Sequence, residues 1–331
     1  MLMSFSGDVK DELSHQVSSA RHCQIAEIAA IISLCGRIFI SVEDEYAIQI
    51  HTETIAVARK YFTLLKHTFQ IAAEVSVRQN SYLKKNKTYT VTVRDHRSAL
   101  WILKATKLMN TQGEIQEDLS IQSNLVIQQV CCKRAFIRGA FLAAGSISAP
   151  EKFYHFEIVC ASLRKAEQLR AIIKTFEIEA KIVLRKKYYV IYIKEGSQIV
   201  DILNVMEAHQ ALMELENIRI LKEMRNSVNR KVNCEAANIN KTVLAAVKQA
   251  EDIRYIQNKI GLSKLADGLG EIARLRLENP EATLKELGNM VTPPVGKSGV
   301  NHRLRKLSEI AQQIREQTGE AGETGKIVKI K

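Results

Sequence analysis

The chain has 331 residues, a hydrophobic fraction of 46%, a charged fraction of 25% and a net charge of +12. That length allows two or three domains, each with its own core, and the composition excludes a largely disordered chain. The basic surplus suits a polyanionic partner, either nucleic acid or an anionic membrane surface.

No window approaches the ~20 consecutive apolar residues that span a bilayer. The first 16 residues are charged and polar rather than a secretory leader, so the cytoplasm is the expected location. The six cysteines, Cys23, Cys35, Cys131, Cys132, Cys160 and Cys234, form no C-x-x-C pair. Adjacent Cys131 and Cys132 lack the spacing by which a zinc knuckle clasps its metal. Buried, reduced thiols are expected, with no bound metal and no cofactor.

Prolines stand only at positions 150, 280, 293 and 294, so earlier elements are read from apolar periodicity. Residues 8–16 read as a helix. Residues 24–35 are apolar almost all round and close on Gly36, which places them in a core or a tight helix contact. Residues 46–52 (YAIQIHT) alternate as a strand does, and residues 53–69 have helical period. Residues 73–78 and 88–93 form a hairpin around the polar stretch 80–86, and residues 98–109 are helical. The same order then returns. It comprises a helix at 134–144 closing on Gly145, a strand at 154–160, a helix at 162–176, strands at 180–185 and 188–193, and a helix at 197–207. Gly36 matches Gly145, Phe69 matches Phe176, Arg78 matches Arg185 and Val93 matches Ile193. A duplicated unit is the economical explanation.

Each copy has an apolar helix closed by glycine, residues 28–36 (IAAIISLCG) and 137–145 (IRGAFLAAG). Both resemble the LAGLIDADG signature of homing endonucleases. That resemblance implies two such helices side by side, with small residues at Ala29, Ala30, Gly139, Ala140, Ala143 and Ala144 allowing close approach. It also implies two flanking sheets that form a saddle of DNA size. In the active nucleases the acid before the final glycine binds the divalent metals that activate water. Here those positions hold Cys35 and Ala144, so no catalytic residue is expected. Glu27, Glu43 and Asp44 lie nearby in sequence but not at the required place.

The pattern changes from residue 214. Residues 214–240 are polar and basic, with Arg219, Lys222, Arg225, Arg230 and Lys231 among asparagines. They read as a helix leading into a connection, and Asn238 or Asn240 is placed to cap a helix at 242–256. A helix at 262–277 ends before Asn279-Pro280. Thr283 caps a short helix at 284–290, a break follows at 292–296, and residues 297–312 form the next helix. Val300, Leu304, Leu307 and Ala311 make one buried face of it. Ser298, Asn301, His302 and Arg305 lie opposite, with Arg303 and Lys306 beside them. A short helix, a tight break and a helix with a polar, basic outer face constitute helix-turn-helix organisation. The second helix is expected in the major groove, with Arg305 on guanine, Asn301 on adenine, and Lys297 and Ser298 on phosphate at the helix N-terminus. Gly296-Lys297-Ser298 does not make a phosphate-binding loop, which needs glycine at position 291 and a preceding strand. The tail, 316–331, is expected to be mobile.

Four strings carry a resemblance that covers nearly the whole chain. They are residues 4–13 (SFSGDVKDEL), 134–147 (RAFIRGAFLAAGSI), 233–242 (NCEAANINKT) and 297–307 (KSGVNHRLRKL). On these the chain resembles the WhiA family of bacterial regulators. The resemblance implies an α+β fold in which a duplicated LAGLIDADG homing-endonuclease-like domain is followed by an all-α helix-turn-helix domain. The expected boundaries are 1–110 and 111–225 for the two repeats, 226–241 for a linker, and 242–315 for the helix-turn-helix domain. The family also implies roles in cell division, chromosome segregation, transcription regulation and, in spore formers, sporulation.

The leading expectation is a non-enzymatic regulator that binds double-stranded DNA in the nucleoid. Division or transcription proteins are possible further partners, and no membrane is involved. Two alternatives remain open, a metal-dependent endonuclease and a protein-docking scaffold in which DNA binding is secondary.

Overall fold

The computed structural model describes residues 4–79, 87–115, 124–266 and 268–318. The hairpin stretch 80–86 and the part of the expected tail at 319–331 lie outside the described residues. The chain divides into two compact units, Met1–Glu223 and Met224–Lys331.

The first unit is the duplication. Helix α1 (Phe5–His15) starts where the Ser4 side chain accepts a hydrogen bond from Gly7 N. Helix α2 (Arg21–Cys35) then runs directly into strand β1 (Gly36–Ile40). Strand β2 (Tyr46–Thr52), helix α3 (Ile55–Phe69), the hairpin β3 (Glu74–Gln79) and β4 (Lys87–Val93), and helix α4 (His96–Ala105) complete the first copy. The second copy repeats it with α5 (Val130–Ala144), β5 (Gly145–Ile147), β6 (Phe156–Cys160), α6 (Leu163–Lys174), β7 (Lys181–Arg185), β8 (Tyr188–Ile193) and α7 (Gly196–Met206). The two antiparallel sheets have the same strand order, β1-β2-β4-β3 and β5-β6-β8-β7. Strands β1 and β5 were not among the expected elements, because each begins on the glycine that ends the preceding helix.

Those two glycines are required for space rather than for an unusual backbone. Both have extended φ, −83° and −88°. A Cβ on Gly36 would lie 2.4 Å from the Ile32 carbonyl oxygen, and one on Gly145 would lie 2.3 Å from the Phe141 ring.

Helices α2 and α5 pack against each other at the centre of the unit. Gly139 makes the approach possible, since a Cβ there would sit 2.6 Å from Glu27 O and 3.0 Å from Ala30 Cβ. One continuous core surrounds the pair, with Ile28, Ile31 and Ile32 of α2, Ile137, Phe141 and Leu142 of α5, and the inward residues of both sheets. Buried charges cross the same contact. Glu27 pairs with Lys60 at 3.1 Å and with Arg138 at 3.2 Å, and Arg138 continues to Glu207 at 2.7 Å.

Helix α8 (His209–Lys259) carries the chain from the first unit into the second. The connection expected at 226–241 is helical within it, and neither Asn238 nor Asn240 caps a helix start. Residues 207–260 contain neither glycine nor proline, so no breaker interrupts the turns. The second unit continues with α9 (Leu269–Glu278), α10 (Leu284–Met290) and α11 (Lys297–Gln317). Its core is Ile253 and Ile256 of α8, Ile272 and Ala273 of α9, Leu287 of α10, and Val300, Leu304, Leu307 and Ala311 of α11. Residues 316 and 317, expected in the tail, are the last residues of α11. No helix of the described residues is long and apolar enough to cross a membrane.

Candidate nucleic-acid interface

The helix-turn-helix is built from local rules. Thr283 and Glu286 form a capping box that starts α10, with Glu286 N donating to Thr283 Oγ1 at 3.3 Å and Thr283 N donating to Glu286 Oε2 at 2.7 Å. The hydrogen bond donated by Thr283 N holds the Glu286 carboxyl below its ordinary pKa. The turn after α10 folds back on Gly288. Val295 N donates to Gly288 O at 2.9 Å, and a Cβ on Gly288 would meet Val295 O at 2.1 Å. Arg276 is buried and donates to the carbonyls of Pro280 and Ala282, fixing the connection between α9 and α10. At the far end of α11, Arg315 pairs with buried Asp252 at 2.9 Å and lies over the Tyr255 ring. The orientation of α11 is therefore fixed at both ends by buried or half-buried polar contacts as well as by its apolar face.

The outer face of α11 presents the residues read from sequence. Lys297, Ser298, Asn301, His302, Arg305 and Lys306 are all exposed. Among the described residues, none of their charges has a salt-bridge partner. Ser298, Asn301, His302 and Arg305 follow the i, i+3, i+4, i+7 spacing of one helix face. Exposed Glu309 continues that face, so its cationic part is confined to the N-terminal turns. Arg303 departs from the expectation. It is half-buried, and its guanidinium lies 3.2–3.4 Å from where a Gly268 Cβ would be. Its position on the helix, beside rather than on the outer face, turns it toward α9.

In the first unit, Cys35 and Ala144 occupy the last positions of α2 and α5. The Cys35 thiol donates to Ile31 O at 3.2 Å, and burial pushes its pKa up to about 12. Lys10 is the charged group beside it, with its own pKa lowered by burial. A thiol, a methyl group and a cation replace the paired carboxylates that would hold a hard divalent metal. Glu43 and Asp44 are exposed in the turn between β1 and β2, and Glu27 is committed to Lys60 and Arg138.

The open face of the first sheet carries a groove of about 790 Å³ that sequence reading did not single out. Arg37, Arg78 and Arg94 line it together with Gln49, His51 and a row of threonines, Thr88, Thr90 and Thr92. Burial, then the charges of Arg37 and Arg78, hold His51 below the usual imidazole pKa. The alternation of β2 and β4 was the available signal, because it puts every second residue on one face.

The cysteines also depart from expectation. Cys23, Cys132 and Cys160 are buried, Cys35 is half-buried, and Cys131 and Cys234 are exposed. Cys131 and Cys132, whose adjacency lacks zinc-knuckle spacing, lie beside His22 and Cys23 at the starts of α5 and α2. The adjacent spacing fails within one helix but is supplemented here from the other repeat.

Comparison with known proteins agrees with this architecture. The WhiA N-terminal LAGLIDADG-like domain matches residues 21–109, the WhiA LAGLIDADG-like domain matches 133–225, and the WhiA C-terminal HTH domain matches 228–311. The "Probable cell division protein WhiA" of Lachnoclostridium phytofermentans is 55% identical over 314 residues, which cover 95% of this chain and 100% of the relative. Its namesake in Alkaliphilus oremlandii is 50% identical over 316 residues, covering 95% of this chain and 98% of the relative. The crystal structure of full-length DUF199/WhiA from Thermatoga maritima superposes with a TM-score of 0.56 at 25% identity, covering 94% of this chain and 99% of that one. The duplicated sheet-and-helix unit, the helix-turn-helix and relatives of near-equal length together place the chain in the WhiA family.

Proposed function

We propose that the chain is a non-enzymatic DNA-binding regulator of cell division, and that α11 reads the major groove. The observation that carries this is the exposed stripe of Ser298, Asn301, His302 and Arg305, flanked by Lys297 and Lys306. Arginine and asparagine are the side chains that pair two-pronged with guanine and adenine edges, and lysine neutralises phosphate. Lys297 and Ser298 lie in the first turn of α11, where free backbone N–H groups favour an anion. The non-enzymatic reading rests on Cys35, Ala144 and Lys10, which supply no hard-metal ligand where the fold would need one. Roles in chromosome segregation, transcription and sporulation, and a cytoplasmic, nucleoid-associated location, belong to the same proposal.

The test is DNA affinity of the full chain on genomic fragments with magnesium across a salt series. Tight binding without cutting is expected. Arg305→Ala should lose ~1–3 kcal/mol on the preferred site and relax its sequence preference. Unchanged affinity and preference would remove α11 as the reader, and cleavage would overturn the non-enzymatic reading.

A second surface has support of its own. The groove on the first sheet places Arg37 and Arg78 among amide and hydroxyl groups, with Arg94 paired to Glu74 at 2.7 Å on the same lining, a net cationic set that suits a phosphate backbone. We assign it a sequence-independent DNA contact that adds affinity without adding preference.

A further inference from the structure

We propose that His22, Cys23, Cys131 and Cys132 form a four-ligand site for one thiophilic divalent cation, zinc by its ligand set, that clasps the two repeats at the starts of α2 and α5. One ligand atom from each residue, the His22 ring nitrogen and the three Sγ atoms, lies within 4.8 Å of all the others. His22 Nδ1 is 3.2 Å from Cys132 Sγ and 3.3 Å from Cys23 Sγ. A tetrahedral zinc with bonds of ~2.3 Å to sulfur and ~2.0–2.1 Å to nitrogen separates its ligand atoms by about 3.5–3.8 Å. The cluster therefore needs shifts of tenths of an ångström to about one ångström to close on an ion, and no backbone rearrangement.

Two features distinguish this from a chance grouping. The residues come as adjacent pairs, 22–23 and 131–132, in the first turns of the two helices that pack at the centre of the unit. Neither pair chelates alone, because neighbouring side chains on a helix diverge. The packing of α2 on α5 brings the pairs together. Burial is also graded, with Cys23 and Cys132 buried and His22 and Cys131 exposed. A groove of about 390 Å³ is lined by Cys23 and Cys131 and opens an entry path.

Three sulfurs and an imidazole select a borderline-soft ion over magnesium or calcium. Like-charged thiolates repel at this spacing, and a divalent cation removes that repulsion. On binding, the three thiols release up to three protons to solvent, and no atom changes oxidation state. The site is unrelated to the nuclease position. Cys23 and Cys35 are twelve residues apart on α2, about 18 Å along its axis at 1.5 Å per residue. Its consequence is structural, fixing the crossing of α2 and α5 at the end remote from Cys35 and Ala144.

The experiment uses the full chain without a polyhistidine tag, reduced and stripped of metal, titrated with zinc against a chromogenic chelator and separately with cobalt. One equivalent should bind, and cobalt should give the intense visible bands of tetrahedral thiolate coordination. Cys131→Ser and His22→Ala, both at exposed positions that leave the core intact, should each weaken zinc binding. Loss of an outer partner alone costs ~10–100-fold, so loss of a ligand should cost at least ~100-fold. Cys234→Ser should bind as the parent does. Zinc should also raise the unfolding midpoint of the first unit, followed by the fluorescence of Trp101, the only tryptophan. Absence of saturable binding, or binding unchanged in both Cys131→Ser and His22→Ala, overturns the proposal. So does a disulfide among these cysteines with no metal bound before or after its reduction.

Discussion

Replacing Glu27 by glutamine tests how the central helix crossing is held. Glu27 is 0% exposed and its carboxylate meets two cations, Lys60 at 3.1 Å and Arg138 at 3.2 Å. Glutamine keeps the shape and removes the charge. Breaking a buried ion pair from one side costs ~3–5 kcal/mol, because the partner stays behind uncompensated. Two observations place this site at the lower end, about 3 kcal/mol by the same rule. Arg138 keeps Glu207 at 2.7 Å, and Lys60 Nζ also donates to the carbonyls of Leu13 and Gln16. At ~2–4 °C per kcal/mol for a domain of this size, the midpoint should fall by about 6–12 °C.

The pH dependence separates charge from packing in this variant. Burial already lowers the Lys60 pKa despite the opposing pull of Glu27. Without Glu27 it falls further. A lysine whose folded pKa lies below its unfolded value near 10.5 leaves the unfolded state holding more protons, so stability rises with pH across that window. The window is wider in the variant. The deficit against the parent should therefore shrink from neutral pH toward about pH 9.5. Buried thiols such as Cys35 work in the opposite sense, but they are common to both proteins and cancel in the difference. Urea melts followed by Trp101 fluorescence report the first unit directly, since Trp101 packs edge-on against Phe69 there. A deficit below about 1 kcal/mol, or one that grows with pH, would refute the ion-pair account.

Four further outcomes are expected. Gly139→Ala should cost the first unit about 3 kcal/mol in the same melt, because its Cβ meets backbone at 2.6 Å and the helices must part. Thr283→Ala should cost the second unit about 1 kcal/mol by removing the α10 cap, read by thermal circular dichroism. The partner contribution of Glu286, whose pKa is held down, should be present above the ordinary carboxylate range and disappear as pH falls through the lowered value. Lys297→Ala should reduce the slope of log affinity against log salt by about one without changing DNA preference, and an unchanged slope would remove it from the phosphate contact.

The duplication was legible because each copy closes its apolar helix on a glycine and then alternates as strands do. The strands β1 and β5 escaped notice because Gly36 and Gly145 serve two elements at once, ending a helix and opening a strand. Helix α8 was misdivided at 226–241 because asparagines among basic residues read as a connection. In the chain they are simply exposed helical positions, with no proline or glycine to stop the turns. The outer face of α11 was readable from period alone for every residue except Arg303. Whether a residue at the edge of a stripe faces out depends on the neighbouring helix, here the start of α9 at Gly268. The His22–Cys132 grouping was not readable at all, since its halves are over a hundred residues apart and only the packing of α2 on α5 joins them.

The same packing explains how a LAGLIDADG-like scaffold stands with Cys35 and Ala144 at its two helix ends. The contact between α2 and α5 depends on Ala30, Gly139 and the Glu27 ion pairs, in the middle of the helices. Cys35 and Ala144, the last residues of the two helices, are not part of those contacts, so the crossing does not require carboxylates there. Their absence also removes a cost, because two close carboxylates at the helix ends repel unless a cation sits between them. Lys10, its pKa lowered by burial, lies beside Cys35 and offers no carboxylate oxygen there. On the function proposed above, the scaffold would hold DNA without metal chemistry, while the exposed stripe of α11 would supply the side chains that distinguish one sequence from another.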